Sequence, residues 1–198
     1  MTTQVTGSGV NFNGSTSGTI LLTQPAVAGS NTITLPAETG TARTTVSSGT
    51  VLQVVNYTTG AVATGTTTLP YDDTIPQNTE GNEYMSLAIT PKSATSKLLV
   101  EVVWIGGNNY AGAQNITAAL FVDSAAGSVA ASTQTCGQSY VMAVPFSYSQ
   151  TSGGTSAITF KVRAGSNAAG TTTFNGYGSA RFLGGVYASS ITITEVVP

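Results

Sequence analysis

The sequence predicts an all-β protein, an antiparallel β-sandwich of jelly-roll type preceded by an extended β segment. Three observations carry this. Nearly every segment with a readable hydrophobic pattern repeats with period two, and none sustains the three-to-four spacing of an amphipathic helix. About eight such segments follow residue 49, bounded by Gly, Asn, Ser or Pro turn signals and spaced by ~10 to 20 residues, which favours two packed sheets. Residues 1–48 differ: they are poor in large apolar side chains and punctuated by GSG, GSTSG, QPAVAGSN and PAETG. The expected organisation is therefore a β extension over 1–48 and a sandwich over 49–198.

Within the extension, TILLTQPAVAGSNTITLPAETGT (Thr19 to Thr41) holds two short apolar-alternating runs, each closed by a proline. Its large apolar residues are few: Val10, Phe12, Ile20, Leu22, Ile33 and Leu35. Pieces below about 40 residues rarely bury enough surface to offset chain entropy without a metal, disulfides or oligomerisation. The chain has no histidine and one cysteine, which leaves oligomerisation. Ile20, Leu22, Ile33 and Leu35 are accordingly expected to pack against their equivalents in other chains, the short strands interleaving around an axis. The competing reading is an arm that orders on a different partner.

The sandwich strands follow in order. TVLQVVNYTTG, near Thr50, comes first; in EYMSLAITP the inward set is Met85, Leu87 and Ile89. KLLVEVVWIGG is apolar on both parities, which predicts a central strand covered on both faces, by a second sheet and by a neighbouring subunit. NITAALFVD near Ile116 and SYVMAVPFSYS near Tyr140 come next. In AITFKVRAG, Ile158, Phe160 and Val162 alternate with Thr159, Lys161 and Arg163, one face buried and one wet. SITITEVV near Ile191 is the last.

Composition excludes several functions. Only 7% of residues are charged, against a usual value of about a quarter, and the net charge is −2. The six cations, Arg43, Lys92, Lys97, Lys161, Arg163 and Arg181, are scattered, so there is no footprint for nucleic acid or an anionic membrane. Without histidine the usual general base and the commonest metal ligand are missing. The longest apolar run, Leu98 to Ile105, is far short of a membrane span and carries Glu101. No membrane insertion is expected, and synthesis in a cytoplasm is, since Met1 is not followed by a cationic start and an apolar core. Cys136, alone, reads as a packed thiol. A mean hydropathy of +0.17 with so few charges favours a closed oligomer over a monomer.

Candidate chemistry is sparse. Asp72, Asp73, Glu80 and Glu83 form an acidic cluster whose spacing fits no EF-hand; a turn-rich loop, with Asp and Asn bonding their own backbone, explains it better. A glycosidase pair such as Asp72 with Glu83, or Glu101 with Asp123, has no distinguishing context. No GxSxG occurs, and the sequons at Asn13, Asn56 and Asn115 are chance matches in a Ser/Thr-rich chain. No enzymatic activity, cofactor or metal is expected. The loops IGGNNYAGAQN (105–115) and AGSNAAGTTTFNGYGSARF (164–182) combine Asn and Gly with aromatic residues. Such mixtures suit glycan contact, because amides bond sugar hydroxyls while an aromatic face covers the apolar side of a ring. Turn chemistry with aromatics plugging the sandwich end is the competing reading. Asn108, Asn109, Tyr110, Asn175 and Tyr177 are the candidate contact residues.

A resemblance adds to this reading. TILLTQPAVAGSNTITLPAETGTARTTVSSGT resembles the short β segment that links shaft to distal domain in tailed-phage fibre proteins. DDTIPQNTEGNEYMSLAITPKSATSKLLVEVV, FKVRAGSNAAGTTTFNG and GGVYASSITITEV are similar to a β-sandwich that recurs in phage tail fibres and other virion structural proteins. The resemblance implies a homotrimeric virion component assembled in the host cytoplasm: a short tail fibre or fibre tip, tied to another virion protein by its N-terminal segment. Its other end would face a host cell-surface glycan or protein. It defines no receptor-contacting residue. A capsid decoration or head fibre is the alternative, and a free lectin or glycan-active enzyme the more distant one.

Overall fold

The computed structural model describes residues 10–13, 19–22 and 47–198. The chain divides into two units, Met1–Arg43 and Thr44–Pro198. In the first, β1 (Val10–Asn13) pairs antiparallel with β2 (Thr19–Leu22), setting Val10 opposite Leu22 and Phe12 opposite Ile20. Of the four residues assigned above to contacts between chains, Ile20 and Leu22 lie on β2, whereas Ile33 and Leu35 fall outside the described residues.

The second unit contains β3 (Val51–Thr59), β4 (Ala63–Gly65), β5 (Asn82–Ile89), β6 (Lys97–Asn108), β7 (Gln114–Val122), β8 (Ala130–Cys136), β9 (Met142–Thr151), β10 (Ile158–Ser166), β11 (Thr172–Phe174), β12 (Gly176–Tyr177), β13 (Ala180–Arg181) and β14 (Ser189–Val196). Sheet I has the order β5-β10-β7-β8; sheet II has β3-β14-β6, with β9 on the other side of β6 and β11-β4 extending its far end. Numbered in chain order, the eight long strands form sheets 1-8-3-6 and 2-7-4-5, with every pairing antiparallel. That is the jelly-roll arrangement, two sheets built from interlocked Greek keys. The expected all-β sandwich is present.

The core lies between the sheets. Met85, Ile89, Ile116, Ala118, Leu120, Phe160 and Val162 from sheet I meet Leu98, Val100, Val102, Trp104, Val144, Ile191 and Ile193 from sheet II. Trp104 packs with Tyr84 and Phe174, ring centroids 5.9 and 6.2 Å away, near the Asn108 end of β6, where β11 and β4 add strands to sheet II and make this the wide end of the sandwich. Along β6, β7 and β10 inward residues alternate with outward ones, as the period of two requires, whereas a bulge in β5 brings the adjacent Tyr84 and Met85 both to the core.

The outer faces differ. On sheet I, Ala119 and Phe121 point outward from β7 yet are buried, because the 66–81 connection folds across them and seats Leu69 there. Gly81 N donates to Thr68 O, Leu69 N to Ser166 O, and the Arg163 guanidinium to the Glu80 and Gly81 carbonyls, which pins that connection down. On sheet II the described chain leaves only the first part of β6 open, since Ile105 and Gly107 of the outward parity are buried, Gly107 against Tyr140 and Tyr177. In that first part the outward Lys97, Leu99 and Glu101 are exposed, and Val103 is half-buried.

At the narrow end, where Gly49 N donates to Val197 O, a carboxylate is buried without a cation. Glu195 accepts hydrogen bonds from the Lys92 and Ser93 amides, Ser96 Oγ and Gln53 Nε2. Burial alone pushes its carboxyl up, but these donors together outweigh burial and hold it below the ordinary value. Glu195 thereby ties the 90–96 loop to the last strand.

Candidate contact surface at the wide end of the sandwich

The Asn108 end of β6 lies beside Met142, Thr172 and the start of β14, so the connections 60–62, 109–113, 137–141 and 167–188 gather at one end. They touch: Gly60 approaches Gly185 O so closely that a Cβ on Gly60 would overlap it, and Ser139 Oγ donates to Tyr177 Oη at 3.2 Å. The chain enters at the opposite end, beside Val197. These four connections carry one charged residue, Arg181.

Two of the five expected contact residues are corrected by burial. Asn108 is inside: its Nδ2 donates to Thr172 Oγ1, its Oδ1 accepts from the Tyr110 amide, and its carbonyl accepts from Gln114 Nε2. Asn175 is wholly buried with φ 56°. Its Nδ2 donates to the Thr59 and Ala61 carbonyls, while its Oδ1 accepts from both the amide and the hydroxyl of Ser189. Asparagine suits this position because it tolerates the left-handed region and offers donors and acceptors together. Both residues position loops and neither is open to a ligand.

The other three remain at the surface. Asn109 is exposed and accepts from the Thr171 amide, joining the 109–113 and 167–171 loops. Tyr110 is exposed, and Tyr177 is half-buried against Gly107. The structure adds neighbours that the sequence reading passed over: Tyr140, 64% exposed, and the run Phe182, Leu183 and Val186, of which Leu183 is 73% and Val186 85% exposed. Leu183 has φ 47°, a conformation costly for a branched side chain, so the turn through Gly184 and Gly185 holds an aliphatic residue outward against both its backbone preference and its hydrophobicity. The signal was the FLGGV run, two apolar residues before a Gly-Gly turn; a search for amides and aromatics does not select it.

The remaining candidates fall apart on inspection. Asp72 accepts from the Thr74 amide and Glu80 from the Gln77 amide, so both close their own loop; Glu83 faces Arg163 at 3.8 Å. Glu101 lies on the outer face of sheet II and Asp123 at the end of a sheet I strand, where it accepts from the Thr159 amide. The structure does not bring that pair together. Cys136 is buried, and burial pushes its thiol up, which keeps it neutral. No family model matches the chain, and no curated protein matches it in sequence.

Proposed function

We propose that this chain is a virion structural protein of a tailed bacteriophage, a short tail fibre or fibre tip that contributes to host-surface attachment. The observation that carries the reading is the polarity of the sandwich. The chain enters at one end, and the opposite end gathers almost uncharged loops that expose Tyr110, Tyr140, Leu183 and Val186. A surface with so few charges loses little on desolvation, which suits a neutral glycan or protein patch on a host cell. The role is adhesive and not enzymatic, held by no cofactor. Homotrimerisation through the N-terminal segment, with Ile20, Leu22, Ile33 and Leu35 facing the axis, would present three copies of that end and raise a weak contact to useful avidity.

The test is competition. Purified full-length protein added to host cells should block adsorption of the phage that carries it, and Tyr140→Ala with Leu183→Ser should remove the block while leaving the far-ultraviolet spectrum unchanged. Full blocking by that double variant would overturn the assignment of this surface.

A capsid decoration is the second reading, favoured by the open, sparsely charged outer face of sheet II, which suits lateral packing on a lattice. Antibody labelling of particles under the electron microscope separates head from tail.

A further inference from the structure

The outer face of sheet II is a lattice of rows fixed by strand register. Val54, Thr194, Leu99 and Ser149 form one row. On one side of it runs Asn56, Thr192, Glu101 and Ser147; on the other runs Val51, Val196, Lys97 and Thr151. Val54 is 56% and Leu99 38% exposed. The only charges in these three rows are Lys97 and Glu101, both on the central strand β6, both outward, two residues either side of Leu99. Neither makes a side-chain hydrogen bond or ion pair among the described residues. Shallow grooves flank Glu101, lined by Val103, Pro145, Ser190 and Thr192 on one side and by Leu99 and Ser149 on the other.

We propose that a second copy of this chain packs on this face, across a two-fold axis that runs along the Val54–Leu99 row. Such an axis reverses strand direction and keeps each strand opposite itself. It sets Leu99 on Leu99 and Val54 on Val54, and it carries Lys97 of each copy over Glu101 of the other. Two positions along a strand span about 7 Å and packed sheets stand about 10 Å apart, so a lysine and a glutamate reaching across from opposite sheets meet. The face is self-complementary in shape and in charge, as an isologous contact must be. An axis parallel to the strands would stack Lys97 on Lys97 and Glu101 on Glu101, which like-charge repulsion disfavours. An unrelated partner gives no reason for the symmetric placing of the two charges about Leu99.

Four strands by about seven residues give a footprint of about 450 Å² per copy, below the ~800 Å² of a standard interface. The contact is therefore weak and concentration-dependent. It is independent of the attachment role proposed above, and it requires an even number of chains: two, or six where the N-terminal segment forms trimers.

Sedimentation velocity on the full chain, from about 1 to about 300 μM as so small a footprint demands, tests it. The expected result is an even-numbered species that grows with concentration. Lys97→Glu and Glu101→Lys should each weaken it by about tenfold or more, and the double swap should restore it, because the pair is then reversed in both copies. Circular dichroism confirms that each variant is folded, and Lys97→Gln with Glu101→Gln replaces any that is not. A wild-type chain without an even-numbered species in this range overturns the proposal. So do single reversals without effect, or a double swap as weak as the singles.

Discussion

Strands β6 and β7 sit at the middle of their sheets and are both apolar on both parities, yet their outer faces meet different fates. In β7 the outward Ala119 and Phe121 are sealed by the chain itself, through Leu69 and the 66–81 connection. In β6 the outward Leu99 is left open by the described residues, in one row with Val54 and between Lys97 and Glu101, neither of which is paired among those residues. An apolar outward parity therefore does not by itself report whether the chain covers a strand; the tertiary structure does. The loop that crosses sheet I has small and aromatic residues beneath it; the open part of sheet II keeps isolated aliphatics among Thr and Ser, with Lys97 and Glu101 two residues either side of Leu99.

The largest expected effect lies on the covered side. Phe121→Ala should cost about 3–5 kcal/mol in urea unfolding, as for other deep aromatic truncations, whereas Leu99→Ala should change the stability of the dilute chain by no more than about 0.5 kcal/mol. Equal costs would erase the distinction between the two faces. Next is the narrow end, where Glu195→Gln sets an amide against backbone donors and should cost about 2–3 kcal/mol at neutral pH. Its folded carboxyl titrates below the ordinary value of 4.5, so its contribution is present above that value and is lost as pH falls through the folded one. The gap between wild type and Glu195→Gln in thermal melts should therefore close on acidification, and a gap that stays constant down to acid unfolding would contradict the role given to this carboxylate.

A smaller effect is expected at the wide end. Asn175→Ala removes four side-chain hydrogen bonds and a residue suited to its backbone angle, and should cost about 2 kcal/mol. It should also raise amide exchange in residues 59–62 and 175–189, and unchanged exchange there would show that the loops are held by other contacts. Smallest of all is the response to pH between 6 and 8. The chain has no histidine, so melting temperature and assembly state should be flat across that window.

The fold was legible to the extent that it rests on alternation. Phe160 with Val162, Met85 with Ile89, and Leu98, Val100, Val102 and Trp104 face inward as their periods require. The strand order was not legible, because jelly-roll pairing joins strands far apart in sequence, such as β14 with β3 and β6, through contacts that no local pattern encodes. Site residues were legible only by type. Asn108 and Asn175 have the composition of contact loops, but an asparagine that can bind a sugar hydroxyl can equally close a turn, and burial decides between the two. Leu183 and Val186 escaped because their exposure comes from the positive φ of the Leu183–Gly185 turn, which the sequence signals only by its paired glycines. Leu69 escaped because a lone leucine in a Pro- and Asp-rich connection carries no periodicity.

The open face of β6 can be tested most directly with a single thiol. Leu99→Cys puts an accessible cysteine on the proposed axis, since the native Cys136 is buried, and Leu183→Cys puts a more accessible one at the end that the antiparallel packing carries away from its mate. With a short bifunctional maleimide, the account predicts rapid conversion of the Leu99→Cys chain to a covalent pair and little conversion of Leu183→Cys. Equal, slow cross-linking of the two would contradict it.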